Sequence, residues 1–301
     1  MSANQYRAGL SEAGVHHSAG IHAPSFVLPE GACDCHMHIF DNRYPFAPVA
    51  PLKHGDASPS QYRKLQQRLG LQRMVVVQPS SYGTDHRVLL NALSCFGPAA
   101  KGIGVITPET DAATLRQLTD ANVVGARLNL VQKSVTDTGM LDKLAPVLRM
   151  LGWHLQVHLP PQFFIRVINQ LIELKIDVVM DHFAGICHDE SLKDRVDQGV
   201  LRLMDSGHGW LKLSGAYMMH PSPPHTSAML DSFVSKLVAR YPDRLVWGSD
   251  WPHVTEREKP DDAKLLDLFA RWVPDPGIRH AILVENPRQL YRYHDSMSTR
   301  Q

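Results

Sequence analysis

"CDCHMHIFD", residues 33–41, carries two histidines one residue apart in a short apolar run. A strand repeats every two residues, so His36 and His38 fall on one face and Cys35 and Met37 on the other. The run therefore predicts a buried strand from whose end two imidazoles leave in the same direction.

Seven further apolar runs follow it: "RMVVVQP" (73–79), "GIGVI" (102–106), "VVGARLNL" (123–130), "WHLQVHL" (153–159), "IDVVMDH" (176–182), "GWLKLSG" (209–215) and "DRLVWGSD" (243–250). Between them lie amphipathic stretches of helical period, such as residues 58–70, 85–97, 111–121, 139–152 and 160–175. Eight strands alternating with helices predict an α/β fold, a (β/α)8 TIM-like barrel. An open doubly wound sheet is the competing architecture, but no GxGxxG follows any of the runs. Residues 1–25 are polar and read as an N-terminal arm, and residues 26–301 as a single barrel domain.

The 301 residues are 44% hydrophobic and 20% charged, with a net charge of +1, and no global field points to nucleic acid or an anionic membrane. No run approaches the 18 apolar residues of a membrane span, and the first 30 residues lack the basic start and apolar run of a signal peptide. The four cysteines include no CxxC pair, which argues against a structural zinc knot. Cys33 and Cys35 sit too close for an easy disulfide, and a reducing cytoplasm is the expected location.

Barrel active sites form where strands end and the following loops begin. Read at those ends, the sequence offers His36 and His38; Gln78, Ser80 and Tyr82; Arg127 and Asn129; His158; Asp181 and His182; Ser214 and Tyr217; and Asp250 followed by His253. One histidine at a strand end is unremarkable, but four histidines, an arginine and an aspartate on one rim are a constellation. Such groups bind zinc, or without metal polarise a carbonyl and move protons. Arg127 stands in an otherwise apolar run and requires an anion, either an internal carboxylate or one on a substrate. There is no GxSxG elbow and no P-loop.

The segments "DCHMHIFD", "GARLNL", "VVMDHFAG", "LKLSGAY", "VWGSDWPH" and "VENPRQLY" resemble the amidohydrolase superfamily over about residues 30–294. Within it they are similar to the branch of 2-pyrone-4,6-dicarboxylate lactonase and the sugar-diacid lactone hydrolases and isomerases. The resemblance implies a hydrolase that opens a small carboxylated lactone. His36, His38 and His182 would polarise the lactone carbonyl, and Asp250 would activate water as general base. Arg127 would bind a substrate carboxylate, with Ser80, Ser81, Tyr82, His158, Asn129, Tyr217 and His253 around the substrate. A lactone isomerase, or a metal-dependent decarboxylase of the same superfamily, is the alternative.

Two departures bear on the substrate. Lys133 stands where the dicarboxylate lactonases carry a second arginine, and "SGAYMMHPS" lacks their arginine after strand 7. A sugar-derived lactone with one carboxylate suits the chain better than a flat aromatic dicarboxylate. The expectation for metal is none obligatory. The alternative is a single zinc on His36, His38, His158, His182 and Asp250, since no lysine ends strand 4 to bridge two ions. The expected partner is a small anionic lactone, with no nucleic acid and no membrane, and with monomer or homodimer left open.

Overall fold

The computed structural model describes residues 14–48, 50, 52–132, 135–186, 189–219, 225 and 227–293. Lys133, Cys187 and the segment 220–224 lie outside the described residues. Eight strands form one parallel sheet: β1 (Cys33–Met37), β2 (Arg73–Val77), β3 (Ala100–Gly104), β4 (Val123–Asn129), β5 (His154–His158), β6 (Val178–Met180), β7 (Gly209–Leu213) and β8 (Leu245–Trp247). They pair in sequence order, β1 to β8. The turn after β8 closes the ring, where His38 N donates to Trp251 O at 2.8 Å and Asp250 N to His36 O at 2.7 Å. The fold is thus the expected (β/α)8 barrel.

The helices that return the chain include α1 (Pro59–Leu69), α2 (Arg87–Phe96), α3 (Ala112–Asp120), α4 (Leu141–Leu151), α5 (Pro161–Glu173) and α6 (Lys193–Asp205). Their starts follow local chemistry. Ser58 and Gln61 form a reciprocal capping box on α1, and Asp111 accepts from Thr114 N at the head of α3. Their apolar stripes pack on the outside of the sheet in one large cluster. A smaller cluster fills the inside, with Cys33, Cys35, Val75, Val77, Ile103, Val179, Trp210 and Val246 from the strands. Leu290, Tyr291 and Tyr293 from the C-terminal end join this inner cluster, and Tyr293 O–H donates to Met74 O at 2.7 Å.

Strict alternation fails at one step of β1. Its register against β2 slips between Asp34 and Met37. Cys35 belongs to the inner cluster and Met37 to the outer one, yet the His36 ring also meets Lys212 inside the barrel. Cys35 therefore does not oppose the histidines, as period two predicted; Cys35 and His36 both turn inward. The physical reason is a tether. The buried Asp34 accepts from His36 N (3.0 Å), Ser249 N (2.9 Å) and Tyr62 O–H (2.9 Å). Those contacts hold one irregular step in the strand, as a bulge does. Burial pushes the Asp34 carboxyl up to about 6 despite these donors.

The arm's described residues lie against the barrel. Trp251 Nε1 donates to His16 O at 2.9 Å, and Arg68 donates to Ser18 Oγ and Gly20 O, both at 2.6 Å. Among the described residues, no helix is long and apolar enough to cross a membrane.

Candidate active site

The strand ends open into a cavity of about 310 Å³. Its floor is made by β1 and by the turn after β8. Gly248 lets that turn pass close to β1: a Cβ there would lie 2.6 Å from His36 Cβ and 2.8 Å from His36 N. Asp250 (φ 64°) and His182 (φ 49°) take left-handed backbone, a conformation that costs non-glycine residues about 1–3 kcal/mol and collects at working sites.

Four side chains converge there. His36 Nε2 lies 3.2 Å from His38 Nε2 and 3.5 Å from Asp250 Oδ1. His38 Nε2 is 3.4 Å and His182 Nε2 3.9 Å from the same oxygen. The opposite ring nitrogens are tied down. His38 Nδ1–H donates to Val77 O at 2.7 Å, and His182 Nδ1 is 2.9 Å from Ser214 Oγ. Tyr217 O–H donates to Asp250 Oδ2 at 2.5 Å. Burial pushes the Tyr217 phenol well up, with the Asp250 charge adding to it, so it stays a donor.

Beneath the floor lies a buried ionic layer. Arg127 donates through Nε and approaches through Nη2, each 3.2 Å from Asp181 Oδ2. Gln156 Nε2 donates to the same oxygen at 3.0 Å. Lys212 Nζ donates to Gln156 Oε1 at 2.7 Å and lies 3.2 Å from His36 Nδ1 and 3.4 Å from Asp181 Oδ1. His36 Nδ1 is 3.3 Å from that oxygen. Two cations, Arg127 and Lys212, thus stand with two carboxylates, Asp181 and Asp250, so the buried cluster balances with His36 and His182 neutral.

The titration directions agree. Burial pushes His36, His158 and His182 down, and for His36 the Lys212 ammonium adds to it. Burial alone would raise Asp250, but His182, His38 and His36 outweigh it and hold the carboxyl well below the usual range. Burial would likewise raise Asp181, and Lys212, His36 and Arg127 overcome it.

Residues 33–293 match the amidohydrolase family model. The chain belongs to the amidohydrolase family. It is 32% identical over 281 residues to a 2-pyrone-4,6-dicarboxylate hydrolase of Comamonas testosteroni, covering 89% of this chain and 92% of that one. It is 32% identical over 280 residues to a D-galactarolactone isomerase of Agrobacterium fabrum, covering 90% and 94%. A solved structure of a probable 2-pyrone-4,6-dicarboxylic acid hydrolase from Acinetobacter baumannii, with citric acid bound, aligns with a TM-score of 0.78 at 26% identity, covering 87% of this chain and 100% of that one. This amidohydrolase is an enzyme acting on lactones.

The amidohydrolase cavity gathers most, not all, of the residues expected at the strand ends. His38, Ser80, Ser81, Arg127, Asn129, His158, His182, Tyr217 and Asp250 line it, with His36 directly behind His38. Both ring nitrogens of His158 are buried without a hydrogen-bond partner. Asn129 is spent internally: Nδ2 donates to Ser80 Oγ, and Oδ1 accepts from Val131 N and Gln132 N. Of the residues expected around the substrate, two stand apart from the cavity. Tyr82 packs on Phe40 and Phe46 and accepts from Asp41 N at 2.9 Å. His253 Nε2 faces Asp262 Oδ2 at 3.1 Å, and its ring backs Tyr217.

Lys212 and Gln156 were not anticipated. Lys212 had a signal: in "GWLKLSG" it occupies the same alternate face as Trp210 and Ser214, in the middle of a strand. The wall residues Leu52, Val131, Gln132, Val254, Thr255 and Glu256 sit in loops, where no periodicity marks them.

The family implies a divalent ion, and the floor fits one. Ligand atoms of His36, His182 and Asp250 lie within 4.8 Å of one another. Tetrahedral zinc with bonds near 2.1 Å sets its ligands about 3.4 Å apart, close to the spacings seen here. Two imidazole nitrogens facing each other at 3.2 Å need a proton or a cation between them. Of the expected ligands, His38 and His158 are not part of this group.

Proposed function

We propose that this amidohydrolase hydrolyses a small carboxylated lactone, with Asp250 as general base and His36, His38 and His182 polarising the lactone carbonyl. The observation that carries this reading is the placement of three imidazole nitrogens around one Asp250 oxygen at the cavity floor. Water between Asp250 and the carbonyl carbon loses its proton to the carboxylate as its oxygen attacks. The tetrahedral oxyanion forms among the imidazoles. The ring C–O bond then breaks, and the proton on Asp250 passes to the departing alkoxide.

A carboxylate held as low as Asp250 is a weak base in the resting cavity. A bound carbonyl draws the imidazoles to itself, which weakens what holds Asp250 low and strengthens it as a base when it is needed. Arg127 spends Nε and Nη2 on Asp181, and that side-on fork leaves Nη1 for a substrate carboxylate. His158 offers its unpaired ring to the substrate. A divalent ion on His36, His182 and Asp250 would act as a Lewis acid for the same carbonyl. In our reading it is not obligatory. The buried free thiols of Cys33 and Cys35 suit a reducing cytoplasm.

Attack by a substrate hydroxyl in place of water would make the enzyme a lactone isomerase, and one relative carries that name. A pH-indicator assay separates the two. Hydrolysis of a lactone near neutral pH releases one proton, whereas isomerisation releases none. Lactone loss with stoichiometric acid release is expected, before and after chelation of metals. Loss of substrate without acid supports isomerisation. Activity abolished by chelation and restored by zinc makes His36, His182 and Asp250 obligatory ligands.

A further inference from the structure

The cavity wall contains one charged group that the proposed reaction does not use. Glu256 lines the cavity on the loop after β8, half-buried, and its N–H donates to His253 O at 3.0 Å, which fixes the turn. Thr255 Oγ1 donates to Glu256 Oε1 at 2.9 Å. That leaves the other oxygen without a donor from Thr255.

The other polar groups of the wall are largely committed. Ser81 Oγ donates to Leu52 O at 2.7 Å, Asn129 is held by Ser80 and its own loop, and Arg127 is forked onto Asp181. Among the described lining residues Arg127 is the only arginine or lysine, and its charge is already balanced. A carboxylate at such a wall accepts hydrogen bonds and donates none. It therefore favours ligand hydroxyls and repels ligand carboxylates, which is attraction and rejection from a single group.

We propose that Glu256 determines specificity: its carboxylate accepts hydrogen bonds from substrate hydroxyls and repels a second substrate carboxylate, so the cavity selects a hydroxylated lactone with one carboxylate over a planar dicarboxylate. The inference rests on the lactone-opening reading above, and the test separates the two. Affinity by calorimetry and kcat/KM are measured for glucaro-1,4-lactone and for 2-pyrone-4,6-dicarboxylate, on the wild type, Glu256→Gln and Glu256→Ala, with thermal melts to verify folding.

The wild type is expected to prefer the hydroxylated lactone. Glu256→Gln should weaken it about 10- to 100-fold, the value of hydrogen bonds to a charged group, and should strengthen the dicarboxylate severalfold. Equal shifts for both ligands, or no shift, would overturn the inference while leaving the lactone reading intact. Selective binding without turnover would overturn the lactone reading while sustaining the role of Glu256. A wild type that prefers the dicarboxylate contradicts the inference outright.

Discussion

β5 carries two histidines four residues apart, His154 and His158, on the same face of the same strand. Both are buried, and burial drives both toward the neutral form: His154 down to about 3, with Lys212 and Arg292 contributing, and His158 well below its ordinary value. Both keep unpartnered ring nitrogens. Their surroundings differ. The His154 ring lies against Tyr291 of the inner cluster and over Gly125 of β4, where a Cβ would come within 2.6 Å of Nε2. The His158 ring lies against His182 and faces the cavity. Residue type, burial and the direction of titration are shared, and only position along the strand separates a packed ring from one that faces the cavity.

The comparison breaks first, and hardest, at His158. His158→Phe should lower kcat/KM about 10- to 100-fold on a carboxylated lactone, since it removes hydrogen bonds to substrate at constant burial. Its thermal midpoint should stay near that of the wild type. Unchanged kinetics would make His158 as inert as His154.

Gly125→Ala attacks the other end. The added methyl forces the His154 ring aside, and denaturant melts should show a loss of about 1–3 kcal/mol, typical of overpacking. The kcat should hold, because the disturbed ring lies away from the cavity.

The last effect concerns pH and leaves turnover untouched. His154 has a folded pKa of about 3, below its unfolded value, so between those values the unfolded chain binds a proton that the folded chain refuses. Stability contributed by this group is complete above an unfolded pKa of about 6.5 and falls as the pH drops, by up to about 1.4 kcal/mol per pH unit. His154→Leu should leave turnover unchanged and make the acid loss of stability shallower by that amount. Urea midpoints from pH 7 to pH 4 on the variant and the wild type read this directly. An unchanged slope would place His154 in contact with solvent.

The same contrast explains what the sequence reveals. The eight strands are legible because each run is short, apolar and bounded by helical pattern, and all eight runs overlap the strands that form. The cavity histidines and Asp250 are legible because they end those strands. Partners are not legible. Arg127 meets Asp181 across 54 positions of sequence, and Lys212 meets His36 across 176. Facing is lost where tertiary contacts overrule period two, as the Asp34 tether does at Cys35 and His36. Tyr82 and His253 also end or follow strands, yet Asp41 and Asp262 draw their polar atoms elsewhere.

The most direct test of the account is Asp250→Asn on a lactone that the wild type opens, with binding measured alongside turnover. The account predicts a fall in kcat of about 10²- to 10⁴-fold, the usual worth of a general base, with affinity changed far less. Near-wild-type kcat in Asp250→Asn, with the fold intact, would remove Asp250 from the chemistry and contradict the mechanism.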